Sequence, residues 1–523
     1  MTEVTPPNFN LLDEPWIPVR TVTGEVREVS LTQALLESDQ IATLAETSPP
    51  NLIALYRLLL AVLHRALTIH HGPWKDGDRA RWYREGLPQA PIRAYLAQWR
   101  ERFWLFHPEC PFMQVAALAD APETQGKLKP WTQVCLEGAS GNAPVVFDHA
   151  YDELPSKIPQ ALACRNLLGA LQFTPGGLVK TIRDSDKAGP LANTAAALPT
   201  GPTLGETLLI GLHPPSRAGL EDLPAWERPP PGIADLRAAP RLASGPNDRY
   251  TRQTRAVLLV PDDIDPRIRH IRYAAGLALE EDANAPDPMA CYRVTKDGKA
   301  IRVSFSEGRA LWRELPALVP DPTGKFNQPA AILAWATNLR DRLGQLDTPV
   351  PVLVAGLASD QAKLLRWRVE QLDLPLALLV DPDAAAELRA QIRASEDFFF
   401  RLRALCATMI AGAMPDPIHK DTKARARTIL DNGPTAAVFY SGAERALPDL
   451  MQRIANGDIE GAQRHWAESL KAAALRAWSA THHSLGNSPQ ALRAEARAYP
   501  RFRGLLRALD QPDLATTTEE TEA

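Results

Sequence analysis

The sequence predicts an α+β protein: a large mixed α/β N-terminal domain over 1–380, a C-terminal four-helix bundle over 381–511, and an acidic tail over 512–523. Three observations lead there. At 523 residues the chain exceeds one core of ordinary size, and usual domain lengths imply about two to four domains. Up to about residue 380, strand-like runs alternate with helical ones. After about 383 the character changes, and AAAELRAQIRASEDFFFRLRALCATMIAGA keeps a helical spacing of apolar residues throughout.

Taken in order, residues 9–33 alternate in strand fashion (WIPVRTVTGEVREVSL), with Thr23-Gly24 as the hairpin turn. Helices are expected at about 31–37, 50–70 and 90–105. Ser48-Pro49-Pro50 reads as a cap followed by proline in the first turn. Residues 105–200 are mixed, with turn clusters GASGN at 138–142 and TPGG at 174–177. The stretch 213–248 is loop-like and reads as an ordered surface excursion in which Trp226 and several leucines pack. TRAVLLV at 254–260, IRVSF at 301–305 and PVPVLVAGL at 349–357 look like strands. Further helices are expected at 434–456, 459–484 and 489–508, the last starting at Asn487-Ser488-Pro489 just after a stop at Gly486. Long helices with short connections form an antiparallel bundle.

Composition narrows the function classes. A formal net charge of −4 excludes a chain basic over its whole surface, but an average hides asymmetry, and residues 389–510 carry 18 Lys/Arg against 12 Asp/Glu. Five scattered cysteines without a CxxC pair support neither a zinc ribbon nor a disulfide framework, and they suit a reducing cytoplasm. The N-terminus lacks the basic and apolar regions of a signal peptide. LIALYRLLLAVL at 52–63 is too short for a membrane span and contains Arg57, so a buried core helix is expected.

Motifs for catalysis are missing. No HExxH, GxxxxGK[ST] or GxGxxG occurs; DPTGKF at 321–326 reads as a turn, and GASGN lacks the glycine that a serine elbow needs two positions on. The pairs His70-His71 and His482-His483 point to different sides of a helix, which suits surface or capping roles. Acid clusters such as Asp262-Asp263 read as solvated turns. No motif supports a resident cofactor, a metal or an enzymatic activity.

Three loops carry more. In VVFDHAYDELPSK (145–157), Phe147 and His149 suit stacking on unpaired bases, and Phe147 suits a strand end in the core equally well. In ALQFTPGGLVKT (170–181), Gly176 and Gly177 make a turn without Cβ atoms that another surface can approach closely, with Lys180 and Arg183 nearby; an ordinary turn fits the same residues. In LVAGLASDQAKLLRWR (353–368), an apolar strand ends in the polar tip Ser359-Asp360-Gln361, followed by Lys363, Arg366 and Arg368. Local chemistry allows either a capped turn or a probe held toward a polymer.

Together these segments resemble the CasA (Cse1) family, the large subunit of the type I-E CRISPR surveillance complex Cascade. NLLDEPWIPVR resembles the family's opening strand, FWLFHPECPFMQ (103–114) its aromatic–His–Pro-Phe-Met-Gln segment, and EGASGNAPVVFDHA (137–150) its Ser-Gly stretch leading to a Phe. The Gly-Gly turn, the Gly356-to-Gln361 tip and the C-terminal helices follow in the family's order, so the resemblance spans essentially the whole chain.

The resemblance implies a non-catalytic, cytoplasmic, membrane-free subunit. Its partners would be the other Cascade subunits, CRISPR RNA, double-stranded target DNA and a helicase–nuclease effector. It implies recognition of the protospacer-adjacent motif (PAM) by Gly176 and Gly177, with Lys180 beside them, and a glutamine wedge at Gln361 flanked by Asp360 and Lys363. Phe147 and His149 fall at the contact with the guide-RNA handle. Two departures stand out. Asp360 occupies a position where the family often has Asn, and GLALEEDA (276–283) holds Glu280 and Glu281 where a minor-groove lysine is expected. A nucleic-acid-processing enzyme with a dispersed metal site, and a purely structural scaffold subunit, are the competing readings of the chain.

Overall fold

Alternation buries Ile17, Val19 and Thr21 on one face of strand Ile17–Thr21, and Gly24 turns the chain with φ +93°. The resulting sheet has Ile17–Thr21 between Val26–Val29 and Ile41–Leu44, all antiparallel. The computed structural model describes residues 8–138, 155–177, 179–215, 222–261, 265–282, 285–295, 297–360 and 363–509, with the side chains of 358–360 and 363–366 outside that description. Among these residues the strands make five sheets of two or three strands.

The chain divides into two compact units, one of residues 1–309 and 324–373, the other of 310–323 and 374–523. The first is the mixed α/β unit. Its central helix, Pro49–His71, is long and apolar enough to cross a membrane, yet most of it is buried within the protein. Arg57 lies fully inside, ion-paired with Asp287, donating to Gln172 (2.8 Å) and stacked over Tyr250. A buried charge with fixed partners specifies how helix Gln160–Phe173, helix Pro246–Thr251 and the 287 turn meet. Burial raises the cost of the Asp287 charge, but the Arg57 and Arg249 guanidiniums outweigh it and hold this carboxyl below its usual range. Ser48 sits at the expected cap position without capping; its hydroxyl is turned to Glu137.

The 213–248 stretch packs as expected, with Trp226 and Leu236 buried, and contributes the short helices Ile233–Arg237 and Pro246–Thr251. Four further helices of eight or more residues in this unit arise where the sequence reading placed none: Asp76–Glu85, Gln160–Phe173, Leu204–Gly211 and Ala331–Leu343.

The second unit is helical. Pro382–Gly412, Ile459–Ser484 and Pro489–Ala508 are three of its rods. The fourth is broken: the single helix expected at 434–456 is two, Thr435–Glu444 and Leu447–Ala455, because Pro448 cannot continue the hydrogen-bond ladder of the first. A further helix, Lys420–Asp431, was not foreseen. Ser488 caps the last rod, accepting from the Ala491 amide at 3.1 Å, and Trp478 stacks flat on Phe502 at 4.3 Å. Residues 310–323, which the sequence reading kept with the N-terminal domain, belong to this unit. Arg313 there pairs with Glu396 (2.6 Å) and lies 3.6 Å over the Tyr440 ring.

Candidate nucleic-acid interface

Gly176 and Gly177 are exposed at the head of a loop that leaves helix Gln160–Phe173 and returns beside it. Two backbone bonds close the neck: Gly189 N–H to Thr174 O (2.9 Å) and Leu191 N–H to Gln172 O (2.8 Å). Gly189 is required there, since a Cβ would sit 2.5 Å from the Gln172 carbonyl oxygen. Ends this close over a short stretch define an Ω-loop, whose own side chains must fill it. Here the filling is ionic.

Arg255, the first residue of strand Arg255–Pro261, lies fully buried beneath the turn, 2.8 Å from the equally buried Asp186. That contact is Coulombic rather than a well-aligned hydrogen bond, because the guanidinium spends its donors on carbonyls. They go to Pro175 (2.6 Å), Lys187 (2.7 Å) and Thr254 (2.9 Å). Asp186 in turn accepts from the Val179 amide, and its carbonyl from Gly177 N–H, both at 3.3 Å. One buried pair thus holds both sides of the turn. Gly177 has φ +83° and open space around it, whereas a Cβ on Gly176 would lie 2.8 Å from the Ala188 amide nitrogen.

Lys180 is exposed near the turn. Arg183 is committed inward: it donates to the Ala238 carbonyl, and burial lowers its pKa. Lys187, which the sequence reading did not single out, is exposed, and its backbone lies 3.2 Å from where a Gly176 Cβ would be. In the 276–283 segment, Glu281 is neutralised by Arg302 (2.8 Å) and Arg249 (3.2 Å), while Glu280 faces solvent.

The third loop tops a long hairpin. Strand Val350–Asp360 pairs on one side with Ala196–Pro199, Val352 facing Pro199 and Ala355 facing Ala196, and on the other with Lys363–Leu374. Residues 361–362 connect the two arms; Gln361 lies outside the described residues, as do the side chains of Asp360, Lys363 and Arg366. Gly356 is pressed against the Thr194 carbonyl oxygen, which leaves no room for a side chain. Arg368, one of the cations that follow the tip in sequence, is engaged internally: it pairs with Glu370, donates to Arg309 O (2.7 Å) and stacks on Phe305. Phe147 and His149 also lie outside the described residues.

Trp367 ties the hairpin arm to the helix that enters the glycine loop and to Leu136. Its indole N–H donates to Leu136 O (2.9 Å), just ahead of the 145–157 segment, and its ring meets Phe173 edge-on at 5.5 Å, at the end of the helix that enters the glycine loop. Sequence reasoning quoted this residue and gave it no role; a tryptophan among cations on a hairpin arm was the available signal. Among the described residues no three His, Cys, Asp or Glu side chains gather as a metal-binding set.

Comparison with known proteins places this geometry in context. Residues 10–477 match the family model for CRISPR-associated protein Cse1. The chain is 37% identical over 513 residues to CRISPR-associated protein CasA/Cse1 of Thermus thermophilus, covering 96% of this chain and 98% of the relative. The solved structure of Thermus thermophilus CasA superimposes with a TM-score of 0.82 at 33% identity, over 96% of this chain and all of the other. Cse1 from Acidimicrobium ferrooxidans follows with a TM-score of 0.77 at 26% identity, over 97% and 99% of the two chains.

Proposed function

The chain belongs to the CRISPR-associated Cse1 (CasA) family, and from that premise we propose that it is the non-catalytic large subunit of a type I-E RNA-guided surveillance complex. In this role it works in the cytoplasm with the other Cascade subunits and CRISPR RNA. It reads the PAM in duplex target DNA, helps open the duplex and recruits a helicase–nuclease. The observation that supports this most directly is the packing of the hairpin arm, through Trp367, against Phe173 at the entry of the glycine loop.

Each part has a physical task. Gly176 and Gly177 present bare backbone, which suits the minor groove, about 6 Å wide and carrying a degenerate code. Several PAM sequences are therefore tolerated. Lys180 and Lys187 supply the positive charge beside them, and Lys187 takes the place of the cation missing from 276–283. The hairpin carries Gln361 as a wedge, with Asp360 and Lys363 at the ends of the two strands. Unstacking costs a few kcal/mol per base step. Phosphate contacts and pairing between guide RNA and target strand offset it. Asp360 repels phosphate, so the tip is suited to bases rather than to the backbone. Phe147 and His149 stack on the handle of the guide RNA.

The test compares two substrates in the assembled complex. Gln361→Ala is expected to slow opening of a PAM-containing duplex while leaving binding to a pre-opened bubble unchanged. Equal loss on both substrates refutes the wedge.

A further inference from the structure

The last helix of the C-terminal unit, Pro489–Ala508, carries five arginines, Arg493, Arg497, Arg501, Arg503 and Arg507, and a single acid, Glu495. At 100° per residue the five fall within about 160° of arc, centred opposite the buried row Ala491, Ala494, Ala498 and Phe502. All five are exposed, and none has an ion-pair partner among the described residues. Glu495 lies off this face and accepts from the Trp478 indole N–H at 3.1 Å. Elsewhere in the unit some arginines are paired, Arg403 with Asp431, Arg453 with Asp449 and Asp458, Arg313 with Glu396. Others, such as Arg401, Arg425 and Arg427, have no ion pair among the described residues; the last helix differs in gathering five on one face. A stable fold does not require this helix to leave five cations unpaired on one side.

We propose that this face is a sequence-independent binding site for the phosphodiester backbone of nucleic acid, separate from the glycine loop and the hairpin. Two features favour that occupant. Between the arginines run Ala496, Pro500, Gly504 and Ala508, all exposed and small, so a stiff backbone can lie against the helix surface. A Cβ built on Gly504 meets nothing within 4 Å. Arg493, Arg497 and Arg501 rise in steps of about 6 Å along the helix, each offering a planar fork of donors that fits phosphate oxygens. A protein partner would call for an apolar centre with charge at the rim. Here the order is reversed: charge runs through the middle, and the exposed apolar residues Leu492 (50%) and Tyr499 (39%) stand at one margin.

The site does not depend on PAM reading, and its test uses the full chain and a short random-sequence DNA duplex. Affinity is measured by fluorescence anisotropy across about 50–200 mM salt, where each neutralised phosphate adds about 0.9 to the slope of log K against log salt. Replacing Arg493, Arg497 and Arg501 together with Gln is expected to reduce the slope by about 2–3 and to weaken binding at least tenfold at the lowest salt. Replacing the same three with Lys is expected to preserve the slope. An unchanged slope in the Gln variant overturns the proposal. Loss of affinity without a change in slope overturns it too. So does failure of the Gln variant to assemble with other subunits while its DNA slope is intact, which would assign the face to a protein.

Discussion

The buried pair beneath the glycine loop allows a prediction whose size follows from the geometry. Arg255→Met keeps most of the side-chain volume and removes the guanidinium. Asp186, with a side-chain exposure of 1%, is then left as an uncompensated buried charge, and the carbonyls of Pro175 and Lys187 lose their donor. Breaking one partner of such a pair costs about 3–5 kcal/mol. A Coulomb estimate agrees: two charges about 4 Å apart at an effective dielectric of about 20 interact by about 4 kcal/mol. Removing both charges, in Arg255→Met/Asp186→Leu, takes away the orphan, so the double variant is expected to be more stable than the sum of the singles by about 2–3 kcal/mol. The readout is native-state hydrogen exchange at Gly177 and Gly189, whose amides close the loop onto Asp186 and Thr174. A loss of about 3 kcal/mol accelerates their exchange by a factor of about 160. Exchange is preferred to a global melt because a chain of two units need not unfold in one step. Strictly additive singles, or unchanged Gly189 exchange in Arg255→Met, refute the reasoning.

His64 and His213 are stacked with ring centroids 3.7 Å apart in the core of the first unit, where burial lowers the pKa of both. Below about pH 6.5 the unfolded chain binds protons that the folded chain does not, so stability falls by up to about 1.4 kcal/mol per histidine for each pH unit. The urea midpoint is expected to drop between pH 7.5 and 5.5, and His64→Leu to flatten that drop; a drop of the same size in the variant refutes the assignment. At the glycine turn, Gly177→Ala meets only its positive φ of +83° and is expected to cost about 1–2 kcal/mol. Gly176→Ala is expected to exceed it, because the new Cβ meets the Ala188 backbone, and the exchange rates of the loop amides rank the two; the reverse order refutes the geometry.

The fold class was readable because punctuation and period agreed. Thr23-Gly24, Ser48-Pro49-Pro50 and Ser488-Pro489 mark real boundaries, and the apolar run at 349–357 is a strand. Helix Gln160–Phe173 was missed because it is buried nearly all round and begins after Pro159 without a side-chain cap, so neither amphipathic period nor start signal shows. At the candidate interface the turn itself was visible as Pro-Gly-Gly, but its support was not. Arg255 lies 80 positions from Pro175, and no local pattern connects them. Lys187 and Trp367 were hidden for the same reason: their importance comes from what the fold brings beside them. Arg368 shows the converse, a cation that looked free in sequence and is tied to Glu370 and two carbonyls in the fold.

Trp367 also explains how separate loops can act as one surface. A tryptophan has two rotatable side-chain bonds, and here both ends of its ring system are fixed: the indole N–H by Leu136 O and the ring edge by Phe173. Phe173 is itself buried and is followed directly by Thr174, whose hydroxyl donates to Ala170 O at 2.6 Å and whose carbonyl closes the glycine loop. The hairpin arm is therefore positioned against the same residues that set the Gly176-Gly177 turn, with Gly356 on the other arm fixed against Thr194. Packed interiors transmit displacement because they have few empty spaces to absorb it. The Gly176-Gly177 turn and the described part of the hairpin arm are thus held in one fixed relation through Trp367 and Phe173.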